Sequence, residues 1–146
     1  MLNKMGIGLA LMLAMASWQA AATGPVRIHD AWIPEAPPNA RLLAGYFDLE
    51  NAGSAPLIIV EARAEGFGRV EIHRTVTSEG VARMRRQDEV ALDPGQTVSF
   101  EPGGLHLMFM QFDSPPVSGQ EVKVELVDVE GRAWPFIAEV RPHGKQ

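Results

Sequence analysis

The chain has 146 residues, a formal net charge of −5 and no cysteine, with 46% hydrophobic and 21% charged residues. These values are typical of one soluble globular domain with a hydrophobic core. The acidic balance argues against a nucleic-acid partner, because binding to phosphates requires clustered lysine and arginine. The lack of cysteine excludes disulfides and every metal site that depends on a thiolate.

Residues 1–22 are predicted to be a cleaved signal peptide. Lys4 supplies a positive charge, a 12-residue apolar run follows from Met5 to Ala16, and the alanines at 20–22 fit a cleavage site. The run is shorter than the roughly 20 apolar residues of a membrane span, and no cysteine follows it for lipid attachment. We therefore expect an exported, periplasmic chain with a single domain over residues 23–146 and no membrane span.

The rest of the chain consists of short extended segments separated by turns rich in Gly, Pro, Asn and Asp. The clearest alternation is "EVKVEL", in which Val122, Val124 and Leu126 alternate with charged residues. No convincing helical periodicity is present over ten or more residues. This pattern predicts an all-β domain, a β-sandwich or barrel. In chain order the predicted strands are 26–32, 45–51, 57–62, 69–75, 81–86, 97–100, 105–112, 121–128 and 133–140.

The segment "GGLHLMFMQF", Gly103 to Phe112, places a histidine and two methionines at alternate positions. With the two-residue period of a strand, one face is an ordinary core face made of Leu105, Leu107 and Phe109. The other face presents His106, Met108, Met110 and Phe112. This second face is either another packed surface or a row of soft metal ligands.

His73 and Met84 also lie in unusual surroundings. In "RVEIHRT" the apolar residues alternate with Glu71 and His73, so His73 is expected to point away from the core, and Met84 lies among arginines in "ARMRRQ". Thioether sulfur combined with imidazole favours Cu(I) over Mg²⁺, Ca²⁺ or Mn²⁺, which prefer oxygen. The residues alone leave two interpretations open for His73, Met84, His106 and Met108: packing or a soft-metal site.

Other candidate residues have simpler interpretations. His29 in "VRIHDAW" is expected to be a hydrogen-bonded strand residue, with Asp30 as its neighbour, and His143 to be solvated in a polar tail. The arginines in "ARMRRQ" are interpreted as a solvated strand face.

The spacing H-x10-M-x21-H-x-M, which runs from His73 through Met84 to His106 and Met108, resembles the signature of the periplasmic copper chaperone family PCuAC. The surrounding segments "VEIHRTVTSEGVARMR" and "LDPGQTVSFEPGGLHLMFM" are similar to the family's two motif blocks, and the resemblance covers Val26 to Arg141. It implies a cupredoxin-like, Greek-key β-sandwich or barrel. It also implies one Cu(I) per chain, bound near the surface by those four residues.

The resemblance further implies a non-enzymatic, monomeric carrier that delivers copper for assembly of the dinuclear copper centre of cytochrome c oxidase. Its acceptor would be oxidase subunit II or a SCO-type chaperone. Two alternatives remain open: a metal-free periplasmic interaction module, and a general copper storage or resistance protein. A blue-copper electron carrier is excluded because it needs a cysteine thiolate. The chain also lacks GxSxG and HExxH motifs that would indicate an enzyme.

Overall fold

The computed structural model of the chain describes residues 24–144, so the predicted signal peptide lies outside the described residues. All nine predicted strands are present, with ends that differ by up to three residues. One further strand, Val90–Leu92, was not predicted because three residues are too few to show an alternating pattern. In chain order the strands are β1 Val26–Pro34, β2 Leu42–Asn51, β3 Leu57–Ala64, β4 Arg69–Ser78, β5 Val81–Arg86, β6 Val90–Leu92, β7 Thr97–Phe100, β8 Leu105–Met110, β9 Glu121–Asp128 and β10 Ala133–Arg141.

The ten strands form one sheet in the order β5-β4-β8-β7-β2-β1-β10-β9-β3-β6. A further pairing, with Ala62 of β3 opposite Val70 of β4, closes this sheet into a barrel. β1 pairs in parallel with β10, and β7 with β8. The predicted all-β, cupredoxin-like fold is confirmed. Within residues 24–144, no helix is long and apolar enough to cross a membrane.

The barrel interior is filled by the alternate residues of its strands. The core includes Leu49 of β2, Leu107 and Phe109 of β8, and Leu126 of β9, all almost completely inaccessible to solvent. Each such side chain contributes about 1.5–3 kcal/mol through burial. Gly45 of β2 is required at its position, since a Cβ there would lie 2.6 Å from the ring of Phe109. Strand β8 is therefore fixed tightly against β2.

Strands β4 and β5 form a hairpin that extends past the barrel. Its turn is Glu79-Gly80, with φ values of 52° and 76°, as a two-residue type I′ turn requires. On its other edge β4 pairs with β8 only as far as Arg74. Residues 74–85 are here named the β4–β5 arm, and its outer pairs, from Val76–Arg83 to Ser78–Val81, have no other strand of residues 24–144 beside them.

Replacing Leu107 with alanine should lower the free energy of unfolding by about 2–5 kcal/mol, because it leaves a cavity beneath β8. The matched control is Val81→Ala on the arm, where 52% of the residue is exposed and the change should be within about 0.5 kcal/mol. Urea unfolding of both variants measures the difference. Equal stability of the two would contradict the assignment of Leu107 to the core.

Candidate metal centre

Three neighbouring strands bring the four predicted ligands onto one face of the sheet. His73 of β4 lies directly opposite His106 of β8, and Glu71 of β4 lies opposite Met108. On the other side of β4, Thr75 lies opposite Met84 of β5. Residues that are directly opposite, or two apart on one strand, point to the same face. The four predicted ligands, which alternate with other residues in the sequence, therefore lie on one face of the sheet.

His73 occupies the centre of this group. The centroids of the His73 and His106 rings are 6.0 Å apart. Met84 and Met108 are diagonal neighbours of His73 on opposite sides, a relation that places residues about 7–8 Å apart in a sheet. Methionine side chains are unbranched and flexible, and these two flank the histidine pair on this face.

The His73 ring has a defined hydrogen-bonding state. Its Nε2 lies 2.8 Å from Oε2 of Glu71. An ionised carboxylate can only accept, so Nε2 of His73 donates and carries the proton in the neutral ring. The lone pair is then on Nδ1, which is buried and has no hydrogen-bond partner.

The His106 ring has the opposite tautomer. Its Nδ1 donates to the backbone carbonyl of Gly104 at 3.2 Å. That carbonyl also accepts the backbone N–H of Thr75 at 3.0 Å, so one acceptor fixes the ring and joins β4 to the start of β8. The lone pair of His106 lies on Nε2, which is likewise buried and without a partner.

Two unpartnered imidazole lone pairs on facing residues are chemically unusual, because buried polar atoms almost always have a partner. A metal ion bound by both rings would supply the missing partner of each nitrogen atom. No group of three or more His, Asp or Glu side chains suited to a metal occurs within residues 24–144. Met84 and Met108 add two thioether sulfur atoms to this face, and imidazole together with thioether suits a soft ion.

The charged and buried surroundings of the site shift the pKa of Glu71 and of His106. The hydrogen bond from His73, together with ion pairs to Arg69 and Arg86, lowers the pKa of Glu71 below its usual value. Burial lowers the pKa of His106, and the neighbouring His73 lowers it further, against the opposing effect of the Gly104 hydrogen bond. His106 is therefore held in the neutral form that binds metals.

The site is more deeply buried than the sequence indicated. The resemblance implied a site near the surface, whereas His106 and Met108 are only 3% and 8% exposed. The physical reason is the position of β8, which is paired with β4 on one side and with β2 and β7 on the other. Neither residue belongs to the main hydrophobic cluster. Met84, on the edge strand, is 58% exposed, so the site opens towards β5.

Several residues were missed or assigned differently. Glu71 was not predicted as part of the site, although its position two residues before His73 on a strand was a usable signal. Gly104 contributes only its backbone carbonyl, so no side-chain pattern in the sequence pointed to it. His29 is hydrogen-bonded as expected, but to Glu50 at 2.8 Å and not to Asp30. His143 is exposed, as predicted.

Comparison with known proteins identifies relatives along most of the chain. The family described as "Putative lipoprotein LpqE-like" matches residues 26–138. A relative, "Putative lipoprotein Lxx21020" from Leifsonia xyli subsp. xyli (strain CTCB07), is 29% identical over 117 residues, which cover 80% of this chain and 69% of the relative.

Solved structures share the fold. The copper-bound PCuAC domain from PmoF2 superimposes with a TM-score of 0.67 at 19% identity, over 82% of this chain and 94% of that domain. The solution structure of CuI-DR1885 from Deinococcus radiodurans gives a TM-score of 0.64 at 26% identity, over 84% of this chain and 83% of that one. The resemblance predicted from the sequence is confirmed, and the chain belongs to the LpqE-like family of PCuAC-type domains.

Proposed function

We propose that the protein is a periplasmic copper chaperone that binds one Cu(I) per chain through His73, Met84, His106 and Met108. The observation that supports this most directly is the pair of buried, unpartnered nitrogen atoms, Nδ1 of His73 and Nε2 of His106. Membership of a family with PCuAC-type domains supports copper as the cargo. The protein acts as a non-enzymatic, monomeric carrier.

The donor set explains the choice of Cu(I). Two neutral imidazoles and two thioethers add no charge, so the occupied site keeps the single positive charge of the ion. The Glu71 carboxylate, held against His73, partly balances that charge. Thioethers do not form disulfides, which makes methionine a suitable sulfur ligand in an oxidising compartment.

The uneven burial of the ligands gives a route for copper release. His106 and Met108 are enclosed and His73 is mostly covered, while Met84 is exposed on the edge strand β5. An incoming ligand of an acceptor can therefore displace the Met84 sulfur first. The ion then passes to the acceptor from the β5 side, while the buried ligands keep it bound until the exchange is complete.

The acceptor is proposed to be the dinuclear copper site of cytochrome c oxidase subunit II or a SCO-type chaperone. Export by residues 1–22 places the carrier in the periplasm, where that site is assembled. General copper storage or resistance is the competing function, and it predicts tight binding without transfer to an oxidase domain. A metal-free interaction module predicts no tight binding at all.

Replacing Met108 with leucine should weaken Cu(I) binding on the order of tenfold or more, because leucine keeps the volume but removes the sulfur. Met110→Leu is the matched control: Met110 lies on the same face and is only half-buried, opposite Arg69. Competition with a coloured Cu(I) chelator measures both affinities. The wild-type protein should bind one Cu(I), and His106→Ala should bind none tightly.

Equal affinities for Met108→Leu and Met110→Leu would contradict thioether ligation by Met108. Failure of the wild-type protein to compete with the chelator would contradict the Cu(I) site as a whole.

Replacing Glu71 with glutamine should weaken Cu(I) binding about 10–100-fold, the usual effect of removing a group that orients a histidine ligand. The His73 ring would lose the charged acceptor that fixes its tautomer. Glu61→Gln is a fitting control, because Glu61 is also paired with an arginine two residues away but lies at an exposed position of β3. The same chelator competition measures the Cu(I) affinity of both variants. An unaltered affinity in Glu71→Gln would show that Glu71 does not orient the ligand.

The metal-free protein should lose stability as the pH falls below about 6.5, partly through His106. Its pKa is lowered in the folded state by burial, so below the ordinary value the unfolded chain binds more protons than the folded one. Urea unfolding at several pH values should show that His106→Gln loses less stability on acidification than the wild-type protein. A larger loss in the variant would contradict the buried, neutral state of His106.

A further inference from the structure

The β4–β5 arm has a second face, opposite the one that carries Met84. On this back face Arg74 lies opposite Arg85, and Val76 lies opposite Arg83. All six residues of β5 are exposed, and β5 ends the order of strands, so its outer edge pairs with no other strand in residues 24–144. The back face is thus open on its surface and along its edge.

The back face is strongly basic in an acidic protein. Residues 69–86 contain five arginines and two glutamates, a formal charge of +3, so the remainder of the chain has −8. Arg69 and Arg86 are paired with Glu71. Among the described residues, by contrast, no carboxylate lies within ion-pair distance of Arg74, Arg83 or Arg85. Within residues 24–144 these three arginines therefore form no ion pair.

These arginines do not stabilise the arm. Arg74 and Arg85 are directly opposite, and like charges in such a pair destabilise a hairpin. Apolar groups lie beside them: Val76 and Val81 are 39% and 52% exposed. The two valines line a cavity of about 270 Å³, and the rest of its lining is Ser78, Glu79, Arg83 and Arg85. A concave surface that combines arginine with exposed apolar side chains has the composition of a protein interface.

We propose that the back face of the β4–β5 arm is the docking surface for an acidic segment of the protein that receives the copper. Carboxylates of that segment would pair with Arg83, Arg85 and Arg74, since the arginine fork binds carboxylates with two hydrogen bonds. The identity of this partner as the acceptor rests on the proposed function. Met84 is on the opposite face of the same strand as Arg83 and Arg85, so docking here holds an acceptor beside the exposed end of the metal site.

The free outer edge of β5 suits an extended segment, which can add to a sheet as a further strand. Glutamate at every second position of such a strand would face the arginines of the back face. The experiment therefore uses two fluorescently labelled synthetic peptides of equal length, one alternating Glu and Thr and the other alternating Lys and Thr. Fluorescence anisotropy with the full metal-free protein measures their binding.

The test variant is Arg83→Glu/Arg85→Glu. The control is Arg27→Glu/Lys123→Glu, which changes the net charge equally at exposed sites on β1 and β9. Circular dichroism and thermal unfolding establish that both are folded. We expect the glutamate peptide to bind the wild-type protein, with the test variant weakened about tenfold or more and the control less than about twofold. Binding should also decrease between about 0.05 and about 0.5 M salt.

Three results would overturn the proposal. They are equal weakening in the two variants, no weakening in the test variant, and no preference of the wild-type protein for the glutamate peptide. Cu(I) affinity is measured on the same proteins and should be unaltered in both variants. Because peptide binding needs no copper, a failed copper titration would reject the proposed function separately from the docking surface.

Discussion

The antiparallel pairing of β4 with β8 is the constraint on which the rest of the site depends. It places His73 opposite His106, so that the centroids of their rings are 6.0 Å apart. The same pairing brings Met108 next to His73 and lets the Gly104 carbonyl bind both the His106 ring and the backbone of β4. A shift of one residue between these strands would turn the histidines to opposite faces of the sheet and remove the site.

Burial and hydrogen bonding prepare the two rings for a metal before one binds. Each ring donates one N–H to a fixed acceptor, the Glu71 carboxylate or the Gly104 carbonyl, and each leaves its other nitrogen unpartnered. Buried acceptor atoms without partners cost free energy, so the metal-free site is less stable than a fully paired one. Binding of a metal ion removes that cost. The stability of β4 and β8 is therefore coupled to metal binding.

Much of the fold and the grouping of the site could be predicted from the sequence, because strand alternation and turn residues are local signals. The spacing from His73 to Met108 also indicated the four residues together. The burial of the site could not be predicted in this way. His106 is enclosed because β8 pairs with β2, a contact between distant parts of the chain. The unpaired state of Arg83 and Arg85 depended equally on which strands lie beside β5, so their sequence resembled an ordinary solvated face.

We propose that two imidazole nitrogen and two thioether sulfur atoms bind the copper ion. X-ray absorption spectroscopy of the Cu(I)-loaded protein tests it most directly, because nitrogen and sulfur scatter differently in the first coordination shell. We expect both kinds of neighbour in the wild-type protein and loss of the sulfur contribution in Met84→Leu/Met108→Leu. A first shell of nitrogen and oxygen alone, or a spectrum that is the same in that variant, would contradict it.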